Sequence, residues 1–213
     1  MHSRIDQVLH ETKGPSVLNL GCTGGLEEMD VAFQHPGWLH GRLASEFEDL
    51  WGLDISERKV TDMLNRGFKN LHVGDAQDFE LFRQFDTIVA GELIEHLPCP
   101  GSFLAASRRH LRPGGRMVVT TPNASGLANV LYAWLKFPRT VANPEHTMWF
   151  CPATLTRLAG MSGFRVCHWS LTTDYTGDTT GFYGLFLRLH RTIGPLIPYR
   201  LRGNAIVMVM EPA

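Results

Sequence analysis

The chain has 213 residues, 44% of them hydrophobic and 19% charged, with 20 basic against 21 acidic side chains and a formal net charge of -1. That length suits a single α/β domain with a sizeable core, and the balanced charge lacks the basic footprint of a protein held mainly by phosphates, which disfavours nucleic acid as a partner. No apolar run reaches the ~18 residues of a membrane span, and Cys22, Cys99, Cys151 and Cys167 show no C-x-x-C spacing, so the expectation is a soluble, cytoplasmic protein with reduced thiols.

The N-terminal stretch MHSRIDQVLHETKG reads as a short polar helix. After the turn signal Gly14-Pro15, Val17 to Leu20 reads as a buried strand, and further strands follow at Leu50 to Ile55, Leu71 to Gly74, Thr87 to Gly91 and Arg116 to Thr121. Helical stretches separate them, so the first 122 residues predict right-handed β-α-β units and a doubly wound, mostly parallel sheet of the α/β class. From Pro122 the pattern changes: Asn123 to Val141 reads as a helix stopped by Pro138, Asn143 to Phe150 as an irregular aromatic segment, and Thr154 to Ala159 as a helix. Phe164 to Thr173 and Asn204 to Met210 read as a late strand pair, which gives seven strands with an antiparallel closing strand. One domain spans 1–213, with an expected acceptor-site lid at 123–153 and an apolar, basic insertion at 174–203.

Four of the strands end on polar or glycine residues: VLNLGCTGG, WGLDIS, HVGDAQDF and FDTIVAGELIEHL. In an open parallel sheet ligands bind outside the carboxyl ends of the strands, so these ends describe one continuous crevice. The turn Gly21-Cys22-Thr23-Gly24-Gly25 lets a ligand approach the backbone, but Thr23 and Leu26 break the G-x-G-x-x-G spacing that a pyrophosphate requires. Asp54 ends the second strand, where a carboxylate can accept from a ribose diol or cap the helix after Ser56. Asp75, followed by Ala76, ends the third and has the same two readings, with adenine in place of ribose.

Glu92, Glu95 and His96 follow the fourth strand as E-x-x-E-H. A helical turn starting at Glu92 would put all three on one face, where two carboxylates and an imidazole need a shared proton or cation. Histidine favours Mn, Fe, Co or Zn over Mg. Without a metal, His96 is a general base or a hydrogen-bonded core histidine.

Taken together, the Gly-rich first turn, the acidic second strand end, the GDA third strand end and the segment LRPGGRMVVTTPN resemble the class I S-adenosylmethionine-dependent methyltransferases. The resemblance implies a Rossmann-like methyltransferase fold and S-adenosyl-L-methionine as cofactor. It places Asn19, Gly21, Thr23, Gly25 and Gly91 around the cofactor, Asp54 and Ile55 at its ribose side, and Asp75 and Ala76 at adenine. E-x-x-E-H is similar to the O-methyltransferases of ubiquinone biosynthesis and the small-RNA 3′-terminal 2′-O-methyltransferases. That likeness implies Glu92, Glu95, His96 and a later histidine, His146 in PEHTMWF, as catalytic residues and metal ligands.

The chain departs from the pattern at Thr23, usually Gly, at Asn19, usually acidic, and in a long excursion over 27–49 that contains HPGWLHG and whose bland reading is a structural cover of the crevice. Glu145, Trp149 and Phe150 belong to the expected lid, the two aromatics as packing residues. Over Phe182 to Leu201, aromatic and aliphatic residues alternate with Arg188, Arg191 and Arg200; this stretch would either pack on the sheet or meet a membrane surface or lipid-linked substrate. The expected activity is O-methylation of a small molecule or glycan. The alternatives are RNA 3′-end 2′-O-methylation and a non-catalytic accessory protein that binds the cofactor.

Overall fold

Alternating strands and helices predict a sheet covered on both faces, and the computed structural model, which describes residues 3–24, 37–127, 129–130, 134, 143–172 and 198–213, has that arrangement. Helix α1 (Arg4–Glu11) starts where Ser3 Oγ accepts from Asp6 N at 3.1 Å, and it buries Ile5, Val8 and Leu9, spaced to form one stripe. Strands β1 (Ser16–Leu20), β2 (Asp49–Asp54), β3 (Leu71–Val73), β4 (Phe85–Gly91), β5 (Leu111–Pro122), β6 (Phe164–Thr172) and β7 (Ala205–Pro212) form one sheet in the order β3-β2-β1-β4-β5-β7-β6. The first five are parallel, and β7 runs antiparallel to both β5 and β6.

Side chains alternate across the central strands, so each strand feeds two cores. On one face Val17, Leu50, Val89, Val118 and Val207 meet α1 and the short helix α2 (Leu39–Ala44). On the other, Leu18, Leu20, Ile88, Met117 and Val119 pack with Phe103 and Leu104 of α4 (Pro100–Arg109) and Leu155 of α5 (Pro152–Met161). Helix α3 (Glu57–Asn65) closes a smaller cluster in which Val60 and Met63 meet Cys22, Trp38 and Leu71. Burying each large side chain contributes about 1.5–3 kcal/mol, so these layers hold the strand ends rigidly.

Several boundaries differ from expectation, that of β5 most of all. Strand β5 begins at Leu111, five residues early, because the ladder jumps from Phe85↔Leu111 to Thr87↔Arg116 and absorbs Arg112 to Gly115 as a bulge, with Gly114 at φ 77. Strand β7 continues to Pro212 and pairs with Phe164. The sheet reverses direction of growth at β1, which lies between β2 and β4, and that switch point opens a crevice above the carboxyl ends. Most of the helix expected over 123–141, residues 27–36 of the excursion and nearly all of the apolar, basic stretch over 174–203 lie outside the described residues; within that stretch, 199–202 form the short helix α6 (Tyr199–Arg202). Among the described residues no helix is long and apolar enough to cross a membrane.

Candidate active site

The backbone turns sharply after β1 because Gly21 takes φ +72, and both Gly21 N and Cys22 N donate to Leu53 O at the end of β2 (2.9 and 3.3 Å). This ties the first turn to the second strand end. Asp54 completes the tie: its Oδ2 accepts from Thr23 N (3.0 Å) and Thr23 Oγ1 (2.8 Å), and its Oδ1 accepts from Ser56 N (3.0 Å). Thr23, where the pattern would have glycine, therefore uses its hydroxyl to aim the carboxylate. Three of roughly four acceptor sites on Asp54 are taken, which leaves room for a single further donor rather than both hydroxyls of a diol.

These residues wall a cavity of about 560 Å³ at the switch point. It is lined by Gly21, Thr23, Asp54, Ile55, Gly91, Glu92, Glu95, His96 and His146 among the expected residues. Ile55 is 74% exposed at its mouth and offers an apolar surface. Three expected residues lie elsewhere. Asn19 is buried, with Nδ2 3.2 Å from His40 Nδ1, and it does not line the cavity because β1 turns it with Val17 toward α1 and α2. Asp75 and Ala76 are outside the lining too: Asp75 folds back to accept from Gln77 N at 2.8 Å and Gln77 Nε2 at 3.2 Å, and Ala76 is buried in the core. Gly25 lies outside the described residues.

The E-x-x-E-H segment does not form the expected helical turn from Glu92. Glu92 has φ 51, and helical geometry, of the 3₁₀ kind, covers only Ile94–His96. Glu92 is thereby turned toward β5 and α1: its Oε1 accepts from Thr120 Oγ1 at 3.0 Å and lies 4.0 Å from Arg4 Nη1. The expected four-residue set is corrected to three: one ligand atom each from Glu95, His96 and His146 lie within 4.8 Å of one another. The imidazoles of His96 and His146 meet edge to face, centroids 4.7 Å apart.

His146 reaches His96 across 50 positions because the residue after it clamps the two segments together. Thr147 N and Met148 N both donate to Glu95 O (2.8 and 3.1 Å), and Thr147 Oγ1 lies 3.0 Å from Glu95 O and 3.1 Å from Leu97 O. Trp149, 38% exposed, does not line the cavity, Phe150 is buried in the core as expected of a packing residue, and Glu145 joins the lining.

Glu95 is the most perturbed acid here. It is 1% exposed, and burial, reinforced by the negative charge of Glu92, pushes its carboxyl up to about 8. One oxygen accepts from Thr121 Oγ1 at 3.0 Å, whereas Oε1 is buried without a partner. Burial and the neighbouring His96 lower the pKa of His146, so its ring stays neutral and can accept a proton or a cation. A buried acid with an unused oxygen beside two imidazoles can exchange protons with a bound hydroxyl or coordinate a metal.

Sequence reasoning missed Arg4, Trp38, Leu39, His40, Lys59 and Leu93, which also line the cavity. Arg4 projects from α1, and its Nη1 donates to Thr120 Oγ1 at 3.2 Å. Trp38 anchors the excursion by donating from Nε1 to Cys22 O at 3.1 Å. The HPGWLHG segment was the available signal for Trp38 and His40; Arg4 had none beyond the helix it sits on.

Comparison with known proteins gives a consistent pattern. Residues 2–168 match the family model described as "Methyltransferase domain". A ubiquinone biosynthesis O-methyltransferase of Thiobacillus denitrificans is 26% identical over 185 residues, which cover 78% of this chain and 68% of that protein. The enzyme of the same name from Aromatoleum aromaticum is 30% identical over 119 residues, 52% of this chain and 45% of its own length. This second match takes in less than half of the relative. Among solved structures, a SAM dependent methyltransferase from Archaeoglobus fulgidus superposes with a TM-score of 0.64 at 18% identity, over 97% of this chain and 90% of that one.

Proposed function

This chain belongs to the methyltransferase-domain family of class I S-adenosylmethionine-dependent enzymes, and from that premise we propose that it methylates a hydroxyl group of a small molecule or glycan. The observation that carries the reading is the convergence of Glu95, His96 and His146 in the same cavity as Gly21, Asp54 and Gly91. Hydroxyls are weak nucleophiles, and a buried acid with paired imidazoles is an arrangement that removes their protons. The O-methyltransferase names of the relatives support the same choice.

The residues fit the cofactor. Asp54 keeps one acceptor site for a ribose hydroxyl, Ile55 presents an apolar face suited to a purine, and the positive φ of Gly21 brings backbone to the ligand without a side chain. S-adenosylmethionine, when bound, supplies an electrophilic methyl group on sulfur. The chain's own part is alignment and proton removal, and positioning alone accounts for a large share of such rate gains. His96 is the first choice to accept the acceptor's proton, with His146 holding its ring in place edge to face.

A metal-assisted form of the same reaction is favoured by the unpartnered Oε1 of Glu95. Glu95, His96 and His146 would hold the ion, and Mn, Fe, Co or Zn suits two imidazoles better than Mg. Such a cation would supply positive charge that lowers the pKa of a diol or catechol hydroxyl.

Isotopically labelled S-adenosylmethionine offered with catechols, glycans carrying vicinal diols, amines and a short RNA tests the assignment. Methyl ethers on the first two classes are the expected product. Transfer to amines alone, or to the RNA terminus alone, would overturn the acceptor class. Asp54→Ala should weaken S-adenosylhomocysteine binding by about 1.5–3 kcal/mol, roughly ten- to a hundredfold, by removing a charged hydrogen bond and releasing Thr23. Calorimetry with unchanged affinity in a folded variant would remove Asp54 from the site.

A further inference from the structure

His40 is 2% exposed and yet lines the cavity. It stands in an aromatic box, 5.8 Å from the Trp38 ring and 6.0 Å from Phe68. Among the described residues its hydrogen-bond partner is Asn19, whose Nδ2 is 3.2 Å from His40 Nδ1. With the Asn19 amide nitrogen turned to the ring, Nδ1 accepts, and the single proton of the neutral ring sits on Nε2. Burial pushes His40 down to about 4; the ring is therefore neutral at physiological pH, and its tautomer is set by Asn19. The ring lines the cavity, so this uncharged N–H donor can be met by an acceptor on a ligand held there.

The same cavity carries Arg4. A side chain at Gly91 would meet Leu39 Cδ2 at 2.6 Å and Arg4 Nη1 at 3.4 Å, so the residue next to His40 and the guanidinium both crowd one strand end. Asp54 and Ile55 occupy the β2 end and suit the adenosine half of the cofactor, whereas Gly91 ends β4. A guanidinium at the β4 end, 4.0 Å from Glu92 Oε1, and an N–H donor in the same cavity suit an anion, and the methionyl half of the cofactor carries a carboxylate.

We propose that His40, held by Asn19 as an Nε2–H donor, binds the carboxylate of S-adenosylmethionine beside Arg4. This gives a chemical reason for an amide at position 19. A carboxylate there would draw the ring proton to Nδ1 and leave Nε2 of a neutral ring as an acceptor facing another acceptor. The inference rests on the cofactor reading but not on the acceptor, and binding measurements separate the two.

The experiment compares S-adenosylmethionine with its decarboxylated form, which lacks only the carboxylate, by calorimetry on the full chain. His40→Phe, which keeps the ring but not the donor, should bind S-adenosylmethionine at least tenfold more weakly than the wild type and the decarboxylated ligand within twofold. His40→Gln, which retains an N–H, should recover part of the loss. Equal weakening for both ligands would make His40 a wall residue, and unchanged affinities would remove it from the site; either result overturns the proposal. Should His40→Phe fail to fold, nitrogen-15 spectra of the histidine-labelled wild type decide the matter: the Nε2 resonance of His40 should move with S-adenosylmethionine and hold still with the decarboxylated ligand. A resonance that responds identically to both refutes the contact. A wild-type chain that binds neither ligand would overturn the cofactor reading instead.

Discussion

Glu95→Gln should abolish methyl transfer and at the same time raise the melting temperature above pH 8. The two effects have one origin. Burial, with Glu92 adding negative charge nearby, lifts the folded carboxyl from the ordinary glutamate range to about 8. In the unfolded chain the same group ionises near about 4.3. Between these values the folded state holds a proton that the unfolded state has released, so stability is highest below the unfolded pKa, falls as pH rises and levels off above about 8. The loss is on the order of 5 kcal/mol, because holding the two ionisation points apart costs about 1.4 kcal/mol for every tenfold change in proton concentration between them. Glutamine copies the protonated acid: it is neutral, and its oxygen can still accept from Thr121 Oγ1. For a chain of this size that difference corresponds to roughly 10 °C or more. Scanning calorimetry in chelator, so that no cation supplies compensating charge, should find the variant more stable at about pH 8.5 and nearly equal to the wild type at about pH 4, below the unfolded pKa. A constant offset across that range would mean that Glu95 does not titrate as its burial requires. Turnover within threefold of the wild type would remove it from the chemistry.

The parts of the site legible in the sequence are those fixed by position on a strand. Gly21, Asp54 and Gly91 each end a buried run, and a parallel sheet sends every such end to the same side, so their convergence followed once the strands were recognised. What remained illegible depended on backbone and side-chain directions that spacing does not encode. The left-handed φ of Glu92 delays the turn to Ile94 and separates it from Glu95 and His96, although E-x-x-E-H reads as one helical face. Asn19 was readable as a departure from an acidic pattern, but its partner lies 21 positions on, inside an excursion to which the sequence assigns no chemistry. The structure gives the middle of the excursion a role: Trp38, Leu39 and His40 form cavity wall, and α2 packs Leu43 onto β1. Arg4 enters from a helix whose apolar stripe was predictable and whose polar face was not assigned. Asp75 ends its strand as expected, but its carboxylate accepts from Gln77 in a local turn outside the cavity lining.

Chelation should cut turnover at least a hundredfold while leaving S-adenosylhomocysteine affinity within twofold, and His146→Ala should reproduce that pattern without chelator. The expectation follows from separation within one cavity: Asp54, Ile55 and Gly21 have no atoms in the Glu95, His96 and His146 cluster, so emptying the cluster leaves the adenosyl contacts in place. Mn or Co should restore activity better than Ca, because imidazole ligands suit the softer ions. A pH series adds a signature that depends on this chain alone. A cation must displace the proton from Glu95, whose carboxyl is held up at about 8, so apparent metal affinity should climb with pH up to that value and flatten beyond it. An exposed carboxylate would already be ionised at pH 5.5 and would contribute no rise of its own above it. The companion variant Glu92→Gln should retain most of the metal affinity, since Glu92 is engaged by Thr120 and Arg4 rather than by the cluster. Full turnover in chelator together with a loss in His146→Ala would leave proton removal by the histidine pair as the chemistry; full turnover in both would place the acceptor's activation outside Glu95, His96 and His146 altogether.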